Sequence, residues 1–358
     1  MQGTDSRKRR RERVLEDDPP RASGRRLTEL LRPAIIKAVR SAGVLAAYLP
    51  FVLSASGEEF PSRPITLVVP YAAGGNVDQS ARIIQTAMAK KLGQPVLIEN
   101  KPGAAGQIGG SFVARSEPDG YTLFFAANGP ILYVSLTTER PLYRWQQAFA
   151  PVSMVSSSPT VLLVRNTLPV ATARDLLAYA KANPTKFTMA TGGVASLNHL
   201  MSELLQQRTN ISWAQIHYRG NAPALNDLVG GHVDAEIGLL SDSLSQIQAG
   251  NVRALAILGK ERASVLPDVP TMAEAGLPAL EGDNFVGVLA PAGTPPEIVE
   301  KLSGAVRYAL REKAVQDQFS ALGVAPKGTT PEEFERFLMG ETGKWEDVVK
   351  KAHIRIDN

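Results

Sequence analysis

The stretch Ile65-Thr-Leu-Val-Val-Pro-Tyr-Ala-Ala-Gly-Gly-Asn-Val-Asp78 decides the fold. Ile65–Val69 is a run of β-branched residues and Leu, which predicts a strand, and Pro70 ends it. Asp78–Lys91 follows with Ala81, Ile84, Ala87 and Met88 at helical spacing. Val96–Ile98 reads as the next strand and Tyr121–Ala126 as another. Strand, helix and strand at this spacing give βαβ units and a parallel sheet, so the fold class is α/β.

Working outward, a second series of the same kind begins near Thr160. Strands are predicted at Val161–Val164, Phe187–Ala190, Ile216–Tyr218, Ala235–Gly238, Arg253–Leu258 and Val286–Ala290. Helices are predicted at Thr172–Lys181, Ser196–Gln207, Pro223–Val229, Pro296–Arg311 and Pro331–Lys351, with Thr172 suited to an N-cap. Two α/β series suggest two lobes, each a central β-sheet flanked by helices. Crossovers near 158 and 284 would make the first lobe discontinuous, residues 57–158 and 284–358, and the second 159–283.

The charge is unevenly spread over the 358 residues. Residues 1–56 hold 12 Lys and Arg against 6 Asp and Glu, and the rest holds 27 against 29. The formal net charge of +4 is therefore a +6 leader on a −2 protein. Basic residues, then the uncharged run of 12 from Ala42 to Leu53, then Ser54-Ala-Ser-Gly57 make the three parts of a secretory signal peptide. The run is too short to span a bilayer. Export and cleavage near Ala55–Gly57 are expected, leaving a periplasmic protein. An uncleaved amphipathic anchor is the alternative. Arg7–Arg13 reads as a solvated charge run rather than a nucleic-acid surface. With no Cys there is no disulfide, thiolate metal site or Cys nucleophile.

Four loops could carry chemistry. Pro70–Asp78 links a strand to a helix, and Gly74 and Gly75 let its backbone approach a ligand. The free N–H groups of the helix start suit an anion such as a carboxylate. Asp78 is either a cap or a ligand contact. Glu99–Gly110 repeats the design but lacks both the P-loop and the dinucleotide fingerprint. Two such turns converge at the carboxyl edge of a parallel sheet. Ala190–His199 offers the Thr191 and Ser196 hydroxyls and the Gly192–Gly193 amides. His217–Asp234 offers Arg219, which could pair with a carboxylate or make a salt bridge between lobes. No histidine has metal-ligand spacing with carboxylates, so neither metal nor cofactor is expected.

At these residues the chain resembles the periplasmic solute-binding proteins of tripartite tricarboxylate transporters, the TctC or Bug family. The resemblance covers about Phe60 to Ile354. It rests on Pro70–Asp78, Asn100–Gly110, Asp119-Gly-Tyr-Thr-Leu123, Ala150-Pro-Val152, Thr191–Leu200, Tyr218–Asp234, Leu266-Pro-Asp-Val-Pro-Thr271, Glu274-Ala-Gly276, Ala290–Pro295 and Glu341-Thr-Gly-Lys-Trp345. It implies a two-lobed periplasmic-binding-protein fold of type II, the Venus flytrap, holding a small carboxylate between lobes. The ligand residues it implies are Tyr71, Ala73, Gly74, Gly75, Asp78, Gly106, Gln107 and Asn128 from one lobe. From the other come Thr191, Gly192, Ser196, Arg219 and Gly220. Implied partners are a small carboxylate ligand and either membrane permease subunits or a sensor kinase, with no nucleic acid, the protein itself being a monomer. The chain departs from the family pattern at Tyr143–Phe149, Ala195-Ser196 and Phe285.

The expected function is thus non-enzymatic capture of a small carboxylate-bearing metabolite, a di- or tricarboxylate, amino acid or aromatic acid, by hinge closure. The rival from another class is a periplasmic hydrolase using Ser196 and His199. It lacks a Gly-x-Ser-x-Gly elbow and a recognisable third triad member.

Overall fold

β1 (Ile65–Val69) forms where the apolar run predicts it. Leu67 and Val69 face one apolar cluster and Val68 the other, so the strand is covered on both sides. The computed structural model describes residues 59–278 and 280–355; the leader, its signal-peptide reading and Arg7–Arg13 lie outside them. α1 (Asn76–Leu92) starts after Gly75 and stops at Gly93, which is left-handed and donates its N–H to the Ala89 carbonyl. β2 (Val96–Asn100) and β3 (Thr122–Ala127) flank β1, both parallel to it. A tight turn at Ala104–Gly106 leads into α2 (Gln107–Ala114), and two short helices, α3 (Val134–Thr137) and α4 (Trp145–Ala148), follow β3.

β4 (Phe149–Arg165) is the longest strand, at 17 residues. After it come α5 (Ala173–Ala182), β5 (Thr188–Thr191), α6 (Leu197–Thr209), β6 (Ala214–His217), α7 (Asn221–Val229), β7 (Ala235–Leu239), α8 (Leu240–Gln248) and β8 (Val252–Leu258). Thr172 and Asp175 close a reciprocal capping box on α5. β9 (Asp283–Pro291), α9 (Pro296–Arg311), α10 (Lys313–Ala321), β10 (Ala325–Pro326) and α11 (Pro331–Ala352) complete the chain. α11 has its own box at Thr330 and Glu333, with Pro331 at the first helical position.

The strands run in the order β2-β1-β3-β9-β4-β7-β5-β6, with β8 and β10 also paired to β4. β1–β3 are parallel among themselves, as are β5, β6 and β7. The two parallel groups are joined through antiparallel β4 and β9. β4 pairs with β9 from Phe149 to Pro159, then with β7 and β8 from Thr160 onward. Ser158 stands opposite Asn284 and Pro159 opposite Asp283, so the two expected crossover positions are neighbours across one ladder.

Sequence reading found only the Val161–Val164 end of β4. Ser156-Ser-Ser-Pro159 carries loop chemistry, yet its three serines are buried in the ladder. Two irregularities, at Pro151/Ser153 and Met154/Ser156, accommodate the strand's bends. α8 was not anticipated either, because it begins directly after β7 without a turn signal and carries three serines. Helices cover both faces: one cluster spans both parallel groups and includes Phe124, Leu162, Met189 and Trp345, and separate clusters lie beneath α1/α9 and α7. No helix among the described residues is long and apolar enough to cross a membrane.

Candidate functional site

All the predicted residues of the first group fall at the carboxyl ends of β1, β2 and β3, which are adjacent. Three loops meet at Gly106. A side chain there would come within 2.4 Å of Pro130 Cγ, after β3, and 3.3 Å of Pro70 Cβ, after β1. Its φ of +90° is also one that glycine tolerates best. Ala73, Gly74 and Gly75 are exposed on the rim, and the start of α1 leaves helix-start amides free there, although the Gly74 N–H itself is given to Asp78.

Asp78 holds this loop. It is 1% exposed. Its Oδ2 accepts from the Gly74 N–H at 2.8 Å and from Arg82 Nε at 2.8 Å. Its Oδ1 accepts from Asn100 Nδ2 at 3.0 Å and Arg82 Nη2 at 3.1 Å. Asn100 Nδ2 also donates to the Tyr71 carbonyl at 3.0 Å, tying the end of β2 to the same loop. The Arg82 guanidinium first, then the Gly74 and Asn100 donors, hold the Asp78 carboxyl down to about 2 against the burial that raises it. Four hydrogen bonds take up its bonding capacity, one from the loop, two from Arg82 of α1 and one from Asn100 of β2, and it does not cap α1, whose N-cap is Gly75.

Two other predicted contacts are turned to the scaffold. Gln107 is buried and its Oε1 accepts from the Leu142 N–H at 2.9 Å. Asn128 donates from Nδ2 to the Tyr133 hydroxyl and to the Asp283 carbonyl, both at 3.1 Å. It thus binds the end of β3 to the start of β9. The Tyr71 hydroxyl lies near Gly129, and burial pushes its pKa up.

The second group sits at the ends of β5 and β6, which are parallel neighbours. Thr191 is fully buried, with Oγ1 2.7 Å from Nδ1 of His217. A side chain at Gly192 would come within 2.1 Å of Asn221 Oδ1, so Asn221 packs directly on this glycine. The Gly220 N–H donates to the Gly192 carbonyl at 3.1 Å, stitching the two loops. Ser196 caps α6, its Oγ accepting from the His199 N–H at 3.3 Å. The His199 ring is committed elsewhere: Nδ1 accepts from the Ala195 N–H at 3.0 Å. The hydroxyl and imidazole that the hydrolase reading needs are therefore not paired. Arg219 is exposed and makes no ion pair among the described residues. Burial is the main cause that lowers the His217 pKa, with His199 adding to it.

The two groups face each other. Asn76 Nδ2, in the first turn of α1, donates to Ser241 Oγ, in the first turn of α8, at 3.0 Å. Ser241 Oγ donates to Asp242 Oδ1 at 3.2 Å, and Asn221 Nδ2 donates to Asp242 Oδ2 at 3.0 Å. Asn76, Asn100, Asn221, Ser241 and Asp242 were not singled out from sequence. Asn76 and Asn221 stand at helix starts beside quoted glycines, and that position was the available signal. Strained backbone marks the same rims. Ala104, Ala105 and Ala195 have φ of +47°, +51° and +59°; among the described residues the other non-glycine positive-φ residues, Asn210 and His353, merely end helices. No group of three metal-ligating side chains occurs among the described residues.

Residues 80–354 match the family model described as the tripartite tricarboxylate transporter family receptor. BugT of Bordetella pertussis is 36% identical over 315 residues, 88% of this chain and 97% of BugT. The solved structure of the periplasmic binding protein BugD superposes with a TM-score of 0.71 at 33% identity, covering 83% of this chain and 99% of BugD. A protein of R. palustris solved with adipate gives a TM-score of 0.74 at 34% identity, again covering 83% of this chain and 99% of its own.

Proposed function

Because this chain belongs to the tripartite tricarboxylate transporter receptor family, a family of solute-binding proteins rather than enzymes, we propose that its cleft captures a small carboxylate in the periplasm. The observation that carries this reading is the convergence of strand ends. Amide-rich loops from β1 and β2 meet at Gly106 and face the loops of β5 and β6 across the Asn76–Ser241 bond. A carboxylate seated there accepts from loop and helix-start amides, which need no cationic side chain.

In this reading the amides of Ala73, Gly75 and the α1 start hold one end of the ligand, while Gly74 and Gly106, whose own N–H groups donate to Asp78 Oδ2 and to the Gly103 carbonyl, shape the loops around it. Thr191, Gly192, Ser196 and Gly220 close over the other, with Arg219 at the mouth. Tyr71, Asp78, Gln107 and Asn128 shape the site by tying its loops to neighbouring elements. The lobes are 57–158 with 284–358, and 159–283, and they swing about the β4–β9 ladder near Ser158 and Asn284. Closure is favoured by the ligand because only the closed state offers contacts from both lobes. Residues 1–56 act as the export signal. The closed monomer then presents its surface to a permease or a sensor kinase.

A thermal-shift screen against mono-, di- and tricarboxylates, amino acids and aromatic acids tests the proposal. A true ligand at 100 times its dissociation constant adds about 2.7 kcal/mol of stability. If no carboxylate in the panel shifts the melting temperature, the reading is wrong.

A further inference from the structure

β7 carries an acid among apolar neighbours, Ala235-Glu-Ile-Gly-Leu239. Glu236 is 1% exposed, stands opposite Leu163 of β4 and Ala190 of β5, and its Oε2 has no hydrogen-bond partner. Its carboxyl carbon lies 3.6 Å from where a side chain on Gly238 would begin. The Glu236 side chain therefore runs along β7 toward the carboxyl end, where α8 begins and the two parallel groups face each other. Asp242 is exposed there, each oxygen accepting a single hydrogen bond, from Ser241 and from Asn221. A carboxylate has about four acceptor positions, so both oxygens retain open ones. No ion pair reaches either acid among the described residues.

An unpaired acid inside a protein is unfavourable until a cation or donor meets it. Resting on the carboxylate reading above, we propose that Glu236 and Asp242 form a subsite for an ammonium group, so that the solute is an amino acid rather than a plain carboxylate. The ligand carboxylate lies on the glycine-loop amides of the β1–β3 group and its ammonium on these two acids. A dicarboxylate without an amine would set its second anion against the Asp242 charge, and that repulsion disfavours it.

Around Glu236 stand Asp242 from α8 and Tyr218 from the segment before α7, whose hydroxyl donates to Asp227 of α7 at 2.6 Å. β4 and β5 contribute the apolar Leu163 and Ala190. Burial first, and the Asp242 charge second, push Glu236 up to about 8. At pH 7 the empty site thus holds Glu236 as a neutral acid, and pairing with an ammonium releases its proton.

Titration calorimetry of the full chain with matched pairs tests this: glutamate against glutarate, aspartate against succinate, leucine against isocaproate, phenylalanine against hydrocinnamate. In at least one pair the amino acid binds about tenfold or more tightly than its deaminated partner, a difference of about 1.4 kcal/mol. Asp242→Asn abolishes that preference by weakening the amino acid, while glutarate and succinate, freed of the repulsion, bind at least as tightly as to the wild type. Near pH 7 the binding heat of the amino acid varies with the buffer's heat of ionisation in the wild type and not in Glu236→Gln. Asp242 is exposed, so its substitution tests the subsite even if Glu236→Gln disturbs β7. Deaminated carboxylates binding as well as or better than every amino acid, or a preference that survives Asp242→Asn, overturns the proposal and leaves carboxylate capture standing. Binding by no member of any pair overturns both.

Discussion

Replacing Asp78 by Asn removes the charge that organises the first glycine loop. Asp78 is almost fully buried and takes bonds from Gly74, Arg82 and Asn100. Its carboxyl titrates at about 2 in the folded protein against an ordinary 3.8. At 1.36 kcal/mol per unit, that gap corresponds to roughly 2 kcal/mol once the exposure of Arg82 is allowed for. Because the folded pKa is depressed, this stability is fully present above the unfolded value near 4 and is lost as pH falls through the folded value near 2. The Asn amide would also direct hydrogens at Arg82 and Asn100, which are themselves donors. Urea unfolding of both proteins at several pH values between about 7 and 2 measures the difference. The expected gap is about 2 kcal/mol at neutral pH, shrinking toward zero at the acid end. On the proposed reading carboxylate affinity falls as well, because the loop that Asp78 ties to β2 and α1 is no longer held in place. A gap that stays constant across this range, or one below about 0.5 kcal/mol at pH 7, would refute the assignment.

Gly106→Ala puts a methyl against Pro130 and Pro70 at a positive φ; denaturation should show a loss of about 2–4 kcal/mol, from overpacking and backbone strain together. Asn76→Ala removes the bond that spans the cleft. Small-angle scattering of the unliganded protein should show a more open average shape, with ligand affinity lowered by less than about tenfold, the worth of one neutral hydrogen bond; an unchanged scattering profile counts against a closing role for this contact.

The fold was legible because buried parallel strands leave an unmistakable trace. Ile65–Val69 and the glycine turn after it specify a strand end, a loop and a helix start almost by themselves. β4 was hidden for a physical reason. Its Ser156–Pro159 segment carries the side chains of a loop, and only neighbouring strands on both sides make that backbone a ladder. Glycines mark the candidate site, since they are needed where chains approach closely. They did not tell which side chains finish it. Asn100 and Arg82 act through Asp78, and Asn221 through Gly192, and each pairing links elements far apart in the chain or separated by a turn of helix. Asn128 shows the converse: a polar residue at a strand end near the site spends its donors on Tyr133 and on β9.

The wiring of the first glycine loop also bears on how quickly a solute is captured. Asp78, Asn100 and the wedge at Gly106 fix that loop when the chain folds, so on the proposed reading the amides it leaves free are aimed before any solute arrives. No loop-ordering entropy is then subtracted from the binding energy, and association should lack a slow phase from loop rearrangement. What remains to limit the rate is diffusive encounter and the approach of the β5–β6 rim, and a scavenger working at low solute concentration gains most from that division.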